Sequence, residues 1–146
     1  MSNEIIKFLI RAKKATYAGE GAEVKPSRPN SHDLMYEEND LKYIDTYLGG
    51  LQFAGEEALW RSDIPLWTMN YMGRVLTDDF PAHFHKEALL SVPEEMPYRG
   101  PAKYIKGDFT YTCTVEGDFN WFTGYEEIHD KDIKVYECHF HGGSIL

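Results

Sequence analysis

Basic residues are scarce in this chain. There are 15 Lys and Arg against 24 Asp and Glu, and the formal net charge is −9. A surface that grips phosphate needs clustered Lys and Arg, so direct nucleic-acid binding is not expected. The one basic cluster, Arg11, Lys13 and Lys14, falls at the end of a helical pattern, where it would complement the helix dipole. Cysteine is scarce too. Cys113 and Cys138 sit in different expected strands, which gives no disulfide framework and leaves two free thiols. No apolar run approaches the ~20 residues of a membrane span. The longest candidate, Ile5–Ile10, is interrupted by Lys7 and has no small-residue cleavage site after it. A cytoplasmic location and no membrane contact are the resulting expectations. Also missing are a glycine-rich phosphate loop, a dinucleotide fingerprint, Gly-x-Ser-x-Gly and His-Glu-x-x-His, so no cofactor is expected.

What the chain has is aromatic residues and internal similarity. Tyr, Phe and Trp make up 14% of it, a composition that favours strands with large apolar faces. Residues 29–54 align with 97–122, and residues 55–73 with 124–142. Identities fall at Pro29/Pro97, Tyr36/Tyr104, Asp40/Asp108, Tyr43/Tyr111, Thr46/Thr114, Gly49/Gly117, Gly55/Gly124, Glu57/Glu126, Asp63/Asp132, Ile64/Ile133 and Gly73/Gly142. Phe53 aligns with Trp121, and the extra residue near Thr123 reads as a β-bulge. The expected architecture is a single α+β domain, 1–146, made of two pseudo-repeat halves of about 1–76 and 77–146. Each half is a helix followed by a four-stranded antiparallel meander, giving two helices, about eight strands and a curved sheet.

The first helix spans 4–17, with Ile5, Phe8, Leu9 and Ala12 as its apolar stripe. A loop with Gly19, Gly21, Pro26, Pro29 and Asn30 covers 18–31. Strands follow at 32–38, 41–48, 51–61 and 64–72, separated by short turns. The second helix spans about 79–92, with Asp78 or Asp79 as its cap and Phe84, Ala88 and Val92 buried. Further strands are expected at 102–106, 109–116, 119–129 and 132–141. The two halves would bury their faces against each other.

The sharpest chemical signal is Glu57. It shares a strand face with Leu51, Phe53, Gly55 and Leu59, and Glu126 occupies the matching place in the second half. Desolvation and a nearby like charge would raise such carboxyl pKa values, which suits a general acid or base, with Gly55 and Gly124 leaving space beside them. The alternative is that both glutamates are structural acceptors of hydrogen bonds. His139 and His141 share one face of the last strand, with Cys138 on the other. They would need a third ligand, His32 or His129, to hold a metal, and a native metal site is not expected. His83 and His85 diverge on their helix and cannot chelate together. The loop Pro26–Asp33 offers Arg28 and His32 as anion contacts, or is simply a turn. Tyr43, Tyr47, Trp67, Tyr71, Tyr111, Trp121, Tyr136 and Phe140 would line an apolar cavity, or form the core. Asp45 and Cys113 are matching positions that differ, as are Asn70 and His139. Such divergence would let one half keep a site.

Several stretches carry a resemblance. They are Ser27-Arg-Pro-Asn-Ser-His-Asp-Leu34, Tyr43-Ile-Asp-Thr-Tyr-Leu-Gly-Gly50, Phe53-Ala-Gly-Glu-Glu57, Trp67-Thr-Met-Asn-Tyr71 with Gly73, Pro97-Tyr-Arg-Gly-Pro101 and Phe140-His-Gly-Gly143. Together they resemble a family of uncharacterised bacterial and archaeal domains, some attached to a helix-turn-helix regulator. The resemblance implies a self-contained domain with a sensing or regulatory role, and no catalytic residue can be carried over from it. Three functions follow in order of expectation. The first is a module binding a small molecule or a protein partner, with Arg28, His32, Tyr43, Asp45, Trp67, Asn70, Tyr111, Trp121 and Tyr136 as contacts. The second is a hydrolase or isomerase using Glu57 and Glu126. The third is a homo-oligomer paired through the terminal strand.

Overall fold

The first helix, α1 (Asn3–Tyr17), forms because its apolar residues recur at helical spacing. Ile5, Phe8, Leu9 and Ala12 all lie in the core. The structure, a computed structural model, describes residues 2–17 and 23–146; the expected glycines at 19 and 21 lie outside the described residues. Strands β1 (Glu23–Val24), β2 (His32–Glu38), β3 (Leu41–Gly49), β4 (Gln52–Arg61) and β5 (Ile64–Val75) follow. Then come α2 (Ala82–Leu90), β6 (Lys103–Lys106), β7 (Phe109–Asp118), β8 (Trp121–Asp130) and β9 (Ile133–Ser144). The two-residue β1 is the strand that periodicity could not show. No described helix is long and apolar enough to cross a membrane.

All nine strands form one open, curved antiparallel sheet in the order β1-β2-β3-β4-β5-β9-β8-β7-β6. The expectation that the halves stack face to face is therefore corrected. They join edge to edge through β5 and β9, from Trp67↔Ser144 to Val75↔Tyr136. The terminal strand is likewise no free edge: β9 lies at the centre of the sheet, and the edges are β1 and β6. Both helices cover the face that carries Glu57 and Glu126, and they touch each other.

Two further expectations change. The register of β7 with β8 is continuous through Glu116↔Thr123, so there is no bulge at Thr123. Gly49 pairs with Phe53 across one hairpin, and Gly117 with Phe122 across the other. By register Phe53 and Phe122, not Trp121, hold the same place after their hairpins, and the second hairpin is one residue longer. The register shifts occur instead where Leu66 and Val135 are skipped, at matching places in the two halves. In α2 the N-cap is Pro81, with no side-chain cap, so neither Asp78 nor Asp79 serves.

Two rungs cross the sheet in opposite directions. One runs Asp45–Glu57–Met69–Gly142–Phe122–Gly117, the other Cys113–Glu126–Cys138–Gly73–Phe53–Gly49. A side chain at Gly73 or Gly142 would meet the ring of Phe53 or Phe122 within 2.7 and 2.9 Å, so these rings lie directly over backbone. Each glutamate stands at the centre of its own three-strand meander.

Candidate functional site

Glu57 on β4 is fully buried, and the helix that covers it brings its counter-ion. The Nζ of Lys13, also fully buried, donates to Glu57 Oε1 at 2.7 Å and to the backbone oxygen of Tyr98 at 2.5 Å. Tyr43 donates its hydroxyl to the same carboxylate oxygen at 2.7 Å. Burial pushes the Lys13 ammonium below its ordinary value, and the carboxylate opposes that. Lys13, expected only to complement the dipole at the end of the helix, instead neutralises a buried carboxylate. It stands four residues after Leu9, on the apolar stripe itself, and that spacing was the available signal.

Glu126 on β8 has a different cation. Arg99, in the loop before β6, donates its Nε to Glu126 Oε1 at 2.5 Å and an Nη2 hydrogen to the Tyr136 hydroxyl at 3.4 Å. Tyr136 in turn donates to Glu126 at 3.3 Å. Burial works to raise the Glu126 carboxyl, but Arg99, with His85 and Tyr111 beside it, outweighs burial and holds the pKa below the ordinary value. His85 on α2 comes within 3.9 Å of Glu126 Oε2. Burial drives the His85 imidazole down to about 4, so it is neutral at physiological pH. The Tyr111 hydroxyl is beside Glu126 without meeting hydrogen-bond geometry, and Glu126 Oε2 and His85 Nε2 likewise lack partners among the described residues. Tyr98 and Arg99, adjacent in the chain, thus serve both buried carboxylates.

Asp45 is the third carboxyl of this layer and, unlike Glu57 and Glu126, opens onto a hollow. It pairs across the ladder with Glu57 and is 4% exposed. The Tyr71 hydroxyl donates to its Oδ1 at 2.5 Å, and the Arg99 guanidinium lies 5.1 Å over the Tyr71 ring. Burial, and then the Glu57 charge, raise the Asp45 carboxyl from 3.8 to about 7. The hollow is a cleft of about 540 Å³. Asp45, Tyr71 and Arg99 lie in its wall with His32, Tyr47 and Phe53. His32 stacks on Tyr47 at 4.8 Å. Gly55 makes this possible, since a Cβ there would fall 2.5 Å from the Tyr71 hydroxyl.

The comparisons with known proteins give one result. A family described as "Domain of unknown function (DUF5680)" matches residues 45–145. The chain belongs to this family. No curated protein and no solved structure matches the chain. The DUF5680 segment begins at Asp45 and takes in Glu57, Tyr71, Arg99 and Glu126, while Lys13 precedes it.

Within this DUF5680 chain the residues singled out from sequence fall in four places. His32 and Asp45 meet in the cleft. Tyr43, Trp67, Tyr111 and Tyr136 are fully buried core residues, not the lining of a cavity. Arg28 and Asn70 border a shallow hollow on the opposite face of the sheet, and Trp121, 79% exposed, borders another with Asn70 and His141. His139 and His141 are exposed and Cys138 is buried, as the strand alternation requires. Among the described residues no three His, Cys, Asp or Glu side chains gather as a metal site. Sequence reasoning missed Lys13 and Arg99 as members of the site, while Tyr47 and Tyr71, two of the aromatics expected to line a cavity, do line the cleft. The space expected beside the glutamates is occupied: Tyr71 lies over Gly55, and the Phe140 ring over Gly124.

Proposed function

We propose that this chain is a small-ligand-binding module of the sensor type, with its ligand in the cleft beside Asp45 and Arg99. The observation that carries this reading is a nearly dry carboxyl and a nearly dry guanidinium in the wall of one aromatic-lined hollow. Desolvating such groups is costly, and a purely structural layer gains nothing from leaving a hollow next to them. The cleft volume suits a metabolite-sized compound. A flat apolar body would lie against Tyr47, Phe53 and Leu89, and a polar group would reach Asp45.

Native mass spectrometry of protein purified without a metal-affinity step tests the reading. The expected result is a small-molecule adduct that leaves on denaturation and is reduced in Asp45→Asn. An adduct held equally by Asp45→Asn and by Tyr47→Ala would place the ligand elsewhere and refute the assignment.

A further inference from the structure

We infer that Asp45 is a proton-transfer group acting on a carbon acid in the cleft, a small compound with a C–H bond beside a carbonyl. The inference rests on the ligand-binding reading of the cleft and adds a reaction to it. Asp45 Oδ takes the proton, and the C–H electron pair becomes a C=C bond. The carbonyl π pair moves onto oxygen, where the charge of Arg99 faces it. In a β,γ-unsaturated substrate, return of the same proton to the γ carbon re-forms the carbonyl and leaves the C=C bond conjugated with it, which completes an isomerisation with no oxidant, reductant or co-reactant.

Three features of the geometry support this. First, Asp45 is the carboxyl in the cleft wall, whereas Glu57 and Glu126 are fully buried on their cations and contribute nothing to that wall. Second, Tyr71 fixes the carboxyl through Oδ1, which holds a base in one orientation. Third, charged and titratable groups surround it from every packed element. These are Lys13 on α1, His32 on β2, Tyr47 on β3, Glu57 on β4, Tyr71 on β5 and Arg99 in the loop before β6. Burial and then Glu57 across the ladder disfavour the Asp45 charge, while Tyr71, Arg99 and Lys13 restrain that effect. The balance leaves the carboxyl titrating at about 7, where a group both accepts and returns protons efficiently. The matching position in the other half is Cys113, whose thiol is pushed by burial to about 11 and does no such work.

Nitrobenzisoxazole is a suitable probe, being flat, aromatic and opened by a single base. The base takes the ring C–H proton, that electron pair closes a nitrile, the N–O bond breaks, and a coloured cyanonitrophenolate leaves. The expected rate follows deprotonation of a group near pH 7. Asp45→Asn should lower it about 100-fold or more. Tyr71→Phe removes a bond that favours the ionised carboxyl, so it should move the midpoint to higher pH. Cys113→Ser should leave the rate unchanged. Circular dichroism checks that each variant folds. A rate equal in wild type and Asp45→Asn, a profile without a midpoint from about pH 5 to about pH 9, or no turnover would each overturn the inference. Resonance shifts of Tyr47 on adding the probe separate the two readings: binding without turnover removes the reaction and leaves the binding module standing.

Discussion

Matching regions of the two halves end differently. In the second half, the layer over Phe122 and Phe140 is filled. Tyr98 packs 4.3 Å from Phe122 and 6.5 Å from Phe140, and Phe119 stacks on Trp67 at 4.8 Å. In the first half the corresponding layer over Phe53 and Tyr71 is the cleft, with Tyr47 where the second half has Val115. The rungs differ in the same sense. Asp45 lines the cleft, whereas Glu57 and Met69 beside it and Cys113, Glu126 and Cys138 on the other rung are buried. One frame therefore supports both a sealed core and an open, charged pocket, and the contents of a few positions decide which.

The counter-ions give the largest expected effect on that contrast. Lys13→Met leaves the Glu57 carboxylate buried without its ammonium, and should cost about 3–5 kcal/mol in urea denaturation. Adding Glu57→Leu to that variant should recover much of the loss, because both desolvated charges are then gone. A double variant no more stable than Lys13→Met would show that the pair does more than neutralise charge. Next, Tyr98→Ala should open in the second half the hollow that the first half has naturally. The expected cost is about 3 kcal/mol, with xenon or benzene uptake as a structural readout.

A smaller effect separates Asp45 from Cys113. The folded-state pKa of Asp45 is raised from 3.8 to about 7, so the folded protein binds this proton more tightly than the unfolded chain. Stability contributed by the protonated carboxyl is thus lost as pH climbs between those values, by up to about 1.4 kcal/mol per pH unit. Asp45→Asn should remove this contribution, and Cys113→Ser should not. His85 acts with the opposite sign. Its folded-state value of about 4 lies below the ordinary 6.5, so it destabilises the fold as pH falls through that interval. Comparison with Asp45→Asn at each pH isolates the carboxyl. The smallest effect concerns the thiols. Burial raises Cys113 to about 11 and Cys138 to about 12, so neither should react with Ellman's reagent until urea unfolds the chain.

The elements were legible because their signals are local. The stripe of α1 is a matter of spacing. The turns at Asn39, Ser62, Asp63, Gly107 and Lys131 adopt positive φ, so the residues that break the strands are largely those that tolerate it. Glu57 and Glu126 were legible as carboxylates out of place on apolar strand faces. Their partners were not, because Lys13 and Arg99 reach them from a helix and a loop far away in sequence, and charge alone argued for exposure. The central position of β9 was hidden for the same reason: it depends on a pairing with β5 that no local pattern encodes. Asp45 was visible only as a position where the halves differ, and its surroundings required coordinates.

The join between β5 and β9 also bears on the order of events during synthesis. Strands β2 to β5 pair with sequence neighbours and can form early, but β5 waits for residues 136–144 before its second edge is satisfied. Until then a twelve-residue edge carrying Met72 stands unpaired, open to another nascent chain. Tyr98 and Arg99 emerge between these two moments. Arg99 reaches Glu126 only once the second meander exists, so the cleft wall is among the last parts of the molecule to acquire its working form.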